Sequence, residues 1–210
     1  GRALTEADLR DAASGRTPLL ETVTRAIRTL HATPAPLELS TFAQGAKGWA
    51  GPHLTQWIAY ARQQAYRRLP VLEGLDELLA QLEAMAGELA QPCFCHFDLL
   101  PDNIVLRAGG GAVALVDFEY AAAGQPLMDL AVLSMGCGLD GASERHLLAS
   151  YLEVEQPSEA QARCFSALKL LACLRETFWG VTAELSGSSA LSADEAVSYV
   201  DLNYEKFVST

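Results

Sequence analysis

Apolar residues recur at helical spacing along the first part of the chain. Leu19, Leu20, Val23, Ala26, Ile27 and Leu30 make one stripe, Leu54, Trp57, Ile58 and Ala61 a second, and Leu75, Leu78, Leu79, Leu82, Met85 and Leu89 a third. Thr17 before Pro18 offers a cap and a first-turn proline for the first helix, which Pro34 and Pro36 end. A polar, glycine-bearing loop over residues 45–52 precedes the second helix, which runs toward Leu69, while Pro70 and Pro92 bound the third. Stripes this short and this interrupted are core-packing faces, not coiled-coil seams.

The period then changes. Residues 92–97, 103–107 and 112–119 are short apolar runs of strand character, and Gly109, Gly110 and Gly111 between the last two predict a hairpin turn. From residue 126 the helical period returns, with helices predicted over 126–135, 143–153, 158–184 and 192–208. The expected fold class is α+β, mostly helix around a small β-hairpin sheet, in one domain over 1–210 with no internal repeat and no linker.

Half of the residues are hydrophobic and a fifth charged, enough apolar material for one sizeable core. Fifteen Lys and Arg against 26 Asp and Glu leave a formal charge of −11, which repels phosphate backbones and anionic bilayers and argues against nucleic acid or membrane as partner. No apolar run approaches the roughly 18 residues that span a bilayer, and no basic-then-apolar leader pattern is present, so a cytoplasmic protein is expected. Cys93, Cys95, Cys137, Cys164 and Cys173 lack a repeated CxxC pair, and small buried thiols are expected rather than a zinc site or a disulfide framework.

Two motifs flank the hairpin. The first is His96-Phe97-Asp98-Leu99-Leu100-Pro101-Asp102-Asn103 and the second Val116-Asp117-Phe118-Glu119-Tyr120. Singly they are bland: His96 fixes a loop, Asp102 follows Pro101 in a turn, and Asp117 and Glu119 are strand-end acids. Together they supply what phosphoryl transfer asks of a protein, a group to take the attacking hydroxyl's proton and oxygen ligands that hold magnesium against nucleotide phosphates. Asp98 is then the base, and Asn103 and Asp117 are the magnesium ligands. Glu119, two residues on and on the same side of an extended strand, is a further metal candidate.

The order of these pieces resembles the HxDxxxxN catalytic loop and the D-[FWY]-E metal-binding segment of the aminoglycoside phosphotransferase and choline kinase superfamily. Phe97 stands where protein kinases carry Arg, and the run from Cys95 to Leu100 is similar to the choline and ethanolamine kinase branch. Gly124-Gln125-Pro126-Leu127-Met128-Asp129-Leu130-Ala131 resembles the G-x-P-x-x-D-[IL]-[AG] segment of the wider superfamily, and Leu30-His31 is a further shared pair. The resemblance implies the C-terminal lobe of a protein-kinase-like fold, ATP as phosphate donor, magnesium as cofactor and a small-molecule alcohol as acceptor. It gives His96 and Asp129 supporting roles in holding the catalytic loop. It also implies that a strand-rich nucleotide-binding lobe lies outside this chain, because no strand-rich stretch with a suitable Lys precedes Thr17 and the lysines are Lys47, Lys169 and Lys206. Alone, the chain is expected to bind nucleotide poorly and to be inactive or impaired.

For the acceptor, Glu176-Thr177-Phe178-Trp179-Gly180 resembles the helix lining the cation pocket of choline kinases, where ring faces hold a quaternary ammonium. The match departs at Thr182, where relatives carry a second tryptophan, and at Gly136, where they carry an acid. Choline or ethanolamine is the expected acceptor, bounded by Tyr120, Glu176, Trp179, Tyr199 and Tyr204. The alternatives are thiamine, another alcohol or an aminoglycoside and, in a different class, a non-catalytic binding module in which Phe178 and Trp179 are core residues.

Overall fold

A computed structural model describes residues 1–15, 18–34, 53–88, 91–109, 111–187 and 191–210. The Thr17 cap, Pro36, the 45–52 loop, Leu89 and Gly110 lie outside the described residues. The chain opens with β1 (Arg2–Ala3) and α1 (Glu6–Ala13), which hydrophobic spacing does not announce. Leu9 is the one large apolar residue of α1, so no stripe marks it, and capping fixes its start. The Thr5 side chain accepts from the Asp8 N–H while the Asp8 carboxylate accepts from the Thr5 N–H.

The three apolar stripes fold as α2 (Leu19–His31), α3 (Leu54–Gln63) and α4 (Leu75–Gly87). The predicted hairpin forms from β3 (Ile104–Leu106) and β4 (Val113–Leu115), with Ile104 opposite Leu115, and β1 joins its outer edge. β2 (Cys93–Cys95) stays out of that sheet. It pairs antiparallel with β5 (Ala122–Gly124), an Ala-Ala-Gly run with little strand propensity that is held by its partner. β4 stops at Leu115, well before Glu119, and Asp117 beyond it takes a left-handed backbone, φ 65°, which a strand does not continue.

α5 (Leu127–Cys137), α6 (Gly141–Leu152), α7 (Glu159–Ser186) and α8 (Ala193–Ser209) complete the fold. Asp140, Ser158 and Ser192 cap α6, α7 and α8 by accepting from backbone N–H groups in their first turns. α7 is the central helix, packed against α3, α4, α5 and α8, and it buries Arg175 and Glu176 along with Phe178. Where α8 crosses α7, a Cβ on Gly180 would come within 3.0 Å of the Tyr199 ring, so the glycine allows Tyr199 to lie against Trp179. Among the described residues, no helix is long and apolar enough to cross a membrane.

Candidate active site

β2 leads directly into the loop that carries Asp98, and buried polar bonds set the loop's path. Asp129, in the first turn of α5, accepts from the N–H groups of His96 (2.8 Å) and Phe97 (2.7 Å), and its Oδ2 also meets His31 Nε2 at 2.9 Å. His96 accepts the Asp98 N–H at Nδ1 (3.2 Å) and donates from Nε2 to the Val116 carbonyl (2.8 Å), which requires the neutral tautomer protonated on Nε2. Phe97 sits at φ 64°, uncommon for a bulky residue, and its ring fills the space a Cβ on Gly124 would need. Asp129 on its N–H and Arg175 on its carbonyl hold that conformation in place.

Asp98 is half-buried. Its Oδ2 accepts from Asn103 Nδ2 at 2.8 Å, and the same amide reaches the Asp98 carbonyl at 2.8 Å. Oδ1 makes no hydrogen bond among the described residues and lies 3.8 Å from Arg175 Nη2. Burial raises the Asp98 pKa above the ordinary carboxylate value; the Arg175 charge pulls the other way, and Glu176 adds to the rise.

The Asn103 carbonyl accepts from the Val116 N–H at 3.0 Å, which stitches the first motif to the second. Both amide hydrogens of Asn103 are spent on Asp98, leaving its side-chain oxygen free to act as a ligand. Asp117 is exposed and makes no hydrogen bond or ion pair among the described residues. Among the described residues neither the Asn103 amide oxygen nor the Asp117 carboxylate has a protein partner, and oxygen donors are the ligand type that magnesium takes, a hard cation that keeps water in its shell. Glu119 does not share a strand face with Asp117: β4 ends before both, the left-handed turn at Asp117 breaks the two-residue alternation, and Glu119 lines a cavity with Tyr120.

That cavity, of about 200 Å³, opens beside Asp98. Trp57 of α3, Tyr120, Trp179 of α7 and Tyr199 of α8 supply four aromatic rings to its wall. Among the described residues of the wall, Asp98, Glu119 and Glu176 supply three carboxylates against the one guanidinium of Arg175. Trp179 and Tyr199 meet edge to face with centroids 5.1 Å apart, and His53 stacks on Trp57 at 5.5 Å while meeting Tyr120 edge-on. Glu176 is braced at both oxygens, Oε1 by Arg175 Nη2 at 2.6 Å and Oε2 by the Tyr199 hydroxyl at 2.6 Å. Burial opposes the charge on Arg175, but the ion pair with Glu176 outweighs it and the pKa is raised. Burial, and then Glu176, raise the Tyr199 pKa and keep the phenol protonated as a donor.

Tyr204 is not among the residues of this wall. Five positions after Tyr199, it lies about 140° further round the helix and stacks on Phe207 at 6.0 Å. Trp57 and Arg175, by contrast, belong to the site without having been marked in the sequence. Trp57 sits in an apolar stripe like any core residue, and the available signal for Arg175 is an Arg-Glu pair interrupting the apolar run of α7.

The family model described as the phosphotransferase enzyme family matches residues 2–165, which takes in both motifs and Asp129 but stops short of Arg175, Trp179 and Tyr199. Ethanolamine kinase 2 of Mus musculus is 41% identical over 54 residues, 25% of this chain and 14% of that protein. Among solved structures, a Plasmodium vivax ethanolamine kinase is similar with a TM-score of 0.75 at 15% identity, over 100% of this chain and 62% of that one. Choline kinase LicA from Streptococcus pneumoniae is similar with a TM-score of 0.67 at 19% identity, over 99% of this chain and 67% of that one. The chain therefore spans less than two thirds of the plasmodial enzyme, and at these identities the structural likeness speaks for the fold.

Proposed function

The chain belongs to the phosphotransferase enzyme family, and on that premise we propose that it carries the catalytic and acceptor-binding part of an ATP-dependent kinase acting on a small cationic alcohol, choline or ethanolamine. The supporting observation is the cavity beside Asp98, whose wall combines four aromatic rings with a surplus of carboxylates. Ring faces and acids attract a cation, and ring faces do so without asking for hydrogen bonds that a quaternary nitrogen cannot give. The volume, about 200 Å³, lies below the roughly 300 Å³ at which pockets for drug-sized ligands begin. That favours a small amino-alcohol over an aminoglycoside.

With the cationic head among the rings, the acceptor hydroxyl lies toward Asp98, whose Oδ1, free of hydrogen bonds among the described residues, takes its proton as the oxygen attacks the γ-phosphorus of ATP. The bond from that phosphorus to the bridging oxygen breaks and ADP leaves. Asn103 pins the other carboxylate oxygen, so Asp98 presents one defined lone pair. Asn103 and Asp117 would hold magnesium, which when bound neutralises charge on the phosphates.

Glu176→Gln tests the electrostatic part of this reading. Glu176 contributes to the raised pKa of Asp98, so removing its charge lowers that pKa and frees Arg175 to act more strongly in the same direction. The acid limb of the pH profile of kcat/KM is expected to move to lower pH; an unmoved limb would show that Asp98 is not the group titrating there.

The substrate reading is tested with choline and its neutral isostere, in which carbon replaces nitrogen. Choline is expected to have the higher kcat/KM by roughly tenfold or more, the scale of a desolvated cation–π contact. Trp179→Leu should raise the KM for choline at least about tenfold and erase the preference, with the KM for ATP nearly unchanged. Equal turnover of both alcohols, or equal effects of Trp179→Leu on both substrates, would make Trp179 a packing residue and remove the cation reading.

A further inference from the structure

Outside the cavity, β2 and α2 bring together a second set of ligand-bearing side chains. Residues two apart on a strand face the same way, and Cys93 Sγ lies 3.6 Å from Cys95 Sγ. A ring nitrogen of His31, the last residue of α2, lies within 4.8 Å of both sulfurs. We propose that Cys93, Cys95 and His31 form a binding site for a thiophilic, filled-shell divalent cation of the zinc type, separate from the magnesium ligands Asn103 and Asp117.

Two features carry this beyond proximity. Sulfurs at two corners of a zinc tetrahedron with bonds of about 2.3 Å stand roughly 3.8 Å apart, and the present separation of 3.6 Å needs little adjustment. The imidazole is prepared for the task. His31 Nε2 donates to Asp129 at 2.9 Å, the carboxylate–histidine arrangement that orients metal-binding rings, and this leaves Nδ1 as the nitrogen with a lone pair. The Tyr151 hydroxyl, 2.7 Å away, occupies that lone pair and would give it up to an ion. Cys95 is fully buried, whereas Cys93 is half-buried and gives an ion a way in. Binding replaces the two thiol protons, which pass to solvent, and leaves one coordination position for water. Cysteine spacing alone supports only the expectation of buried thiols, because the third ligand comes from a helix 62 residues before Cys93.

The test is titration of the full-length protein with cadmium, and with zinc in competition, in excess magnesium. A thiolate-to-cadmium charge-transfer absorption saturating at one ion per chain is expected, and zinc should displace it. Cys93→Ser should abolish the band, His31→Gln should weaken binding by roughly tenfold or more, and Cys137→Ser should leave it unchanged. Cys93 is half-buried, so its variant keeps the test valid even where a change at Cys95 disturbs folding. The absence of a saturable band, or a band that persists in Cys93→Ser, overturns the site.

Discussion

In the full-length protein, Asp98→Asn is expected to fold normally and to lose turnover by a factor of roughly 100 or more, the scale of removing a general base. The change is nearly isosteric, and the asparagine carbonyl oxygen can still accept the Asn103 amide that Oδ2 accepts at 2.8 Å. The new amide then takes the position of Oδ1, which has no hydrogen-bond partner among the described residues, and faces Arg175 across 3.8 Å without the former attraction. Loop geometry depends on other residues, chiefly Asp129 on the His96 and Phe97 N–H groups, so the thermal midpoint should move little. The loss should fall on kcat with the acceptor KM nearly unchanged, because the proton acceptor matters in the transition state and the rings of the cavity are untouched. The acid limb of the pH profile should vanish with the carboxylate. Turnover at the parent rate would refute the assignment of Asp98 as base.

Order along the chain makes legible that part of the candidate site which lies on one continuous stretch of backbone, and resemblance adds Glu176, Trp179 and Tyr199. Asp98 and Asn103 belong to one loop, and Asp117 follows one hairpin later, so their order along the chain carries the geometry. Trp57 and Arg175 reach the same cavity as Tyr199 because α3, α7 and α8 pack together, and helical periodicity marks which face is apolar without saying what that face meets. Tyr199 and Tyr204 look equivalent as aromatic residues of one helix, and only the direction of the α7–α8 crossing at Gly180 separates them. Glu119 shows a different limit. Period-two alternation is a sound rule while a strand lasts, and the backbone at Asp117 ends its use. In the fold itself, β5 escapes a reading by propensity because Ala122, Ala123 and Gly124 become a strand only through pairing with β2.

Asp117→Ala is expected to abolish magnesium-dependent nucleotide binding while leaving the acceptor cavity intact. Asp117 is exposed, makes no hydrogen bond or ion pair among the described residues and is absent from the cavity wall, so replacing it should leave the acceptor side undisturbed. With Asn103 neutral, it is the charged member of the proposed ligand pair, and its loss removes most of the electrostatic hold on a divalent cation. Backbone strain has to be separated from charge, because Asp117 sits at φ 65° and alanine in a left-handed conformation costs about 1 kcal/mol. Asp117→Asn makes that separation, since asparagine tolerates the conformation and lacks the charge. Both variants should bind ATP with the same weak affinity with or without magnesium, as read by calorimetric titration of the full-length protein. Glu119→Ala serves as the contrast: its carboxylate lines the cavity, so it should raise the acceptor KM and leave the magnesium dependence of ATP binding as it was. If Asp117→Asn kept the parent's response to magnesium, Asp117 would lose its place as a ligand; if Glu119→Ala lost that response, the metal assignment would pass to Glu119.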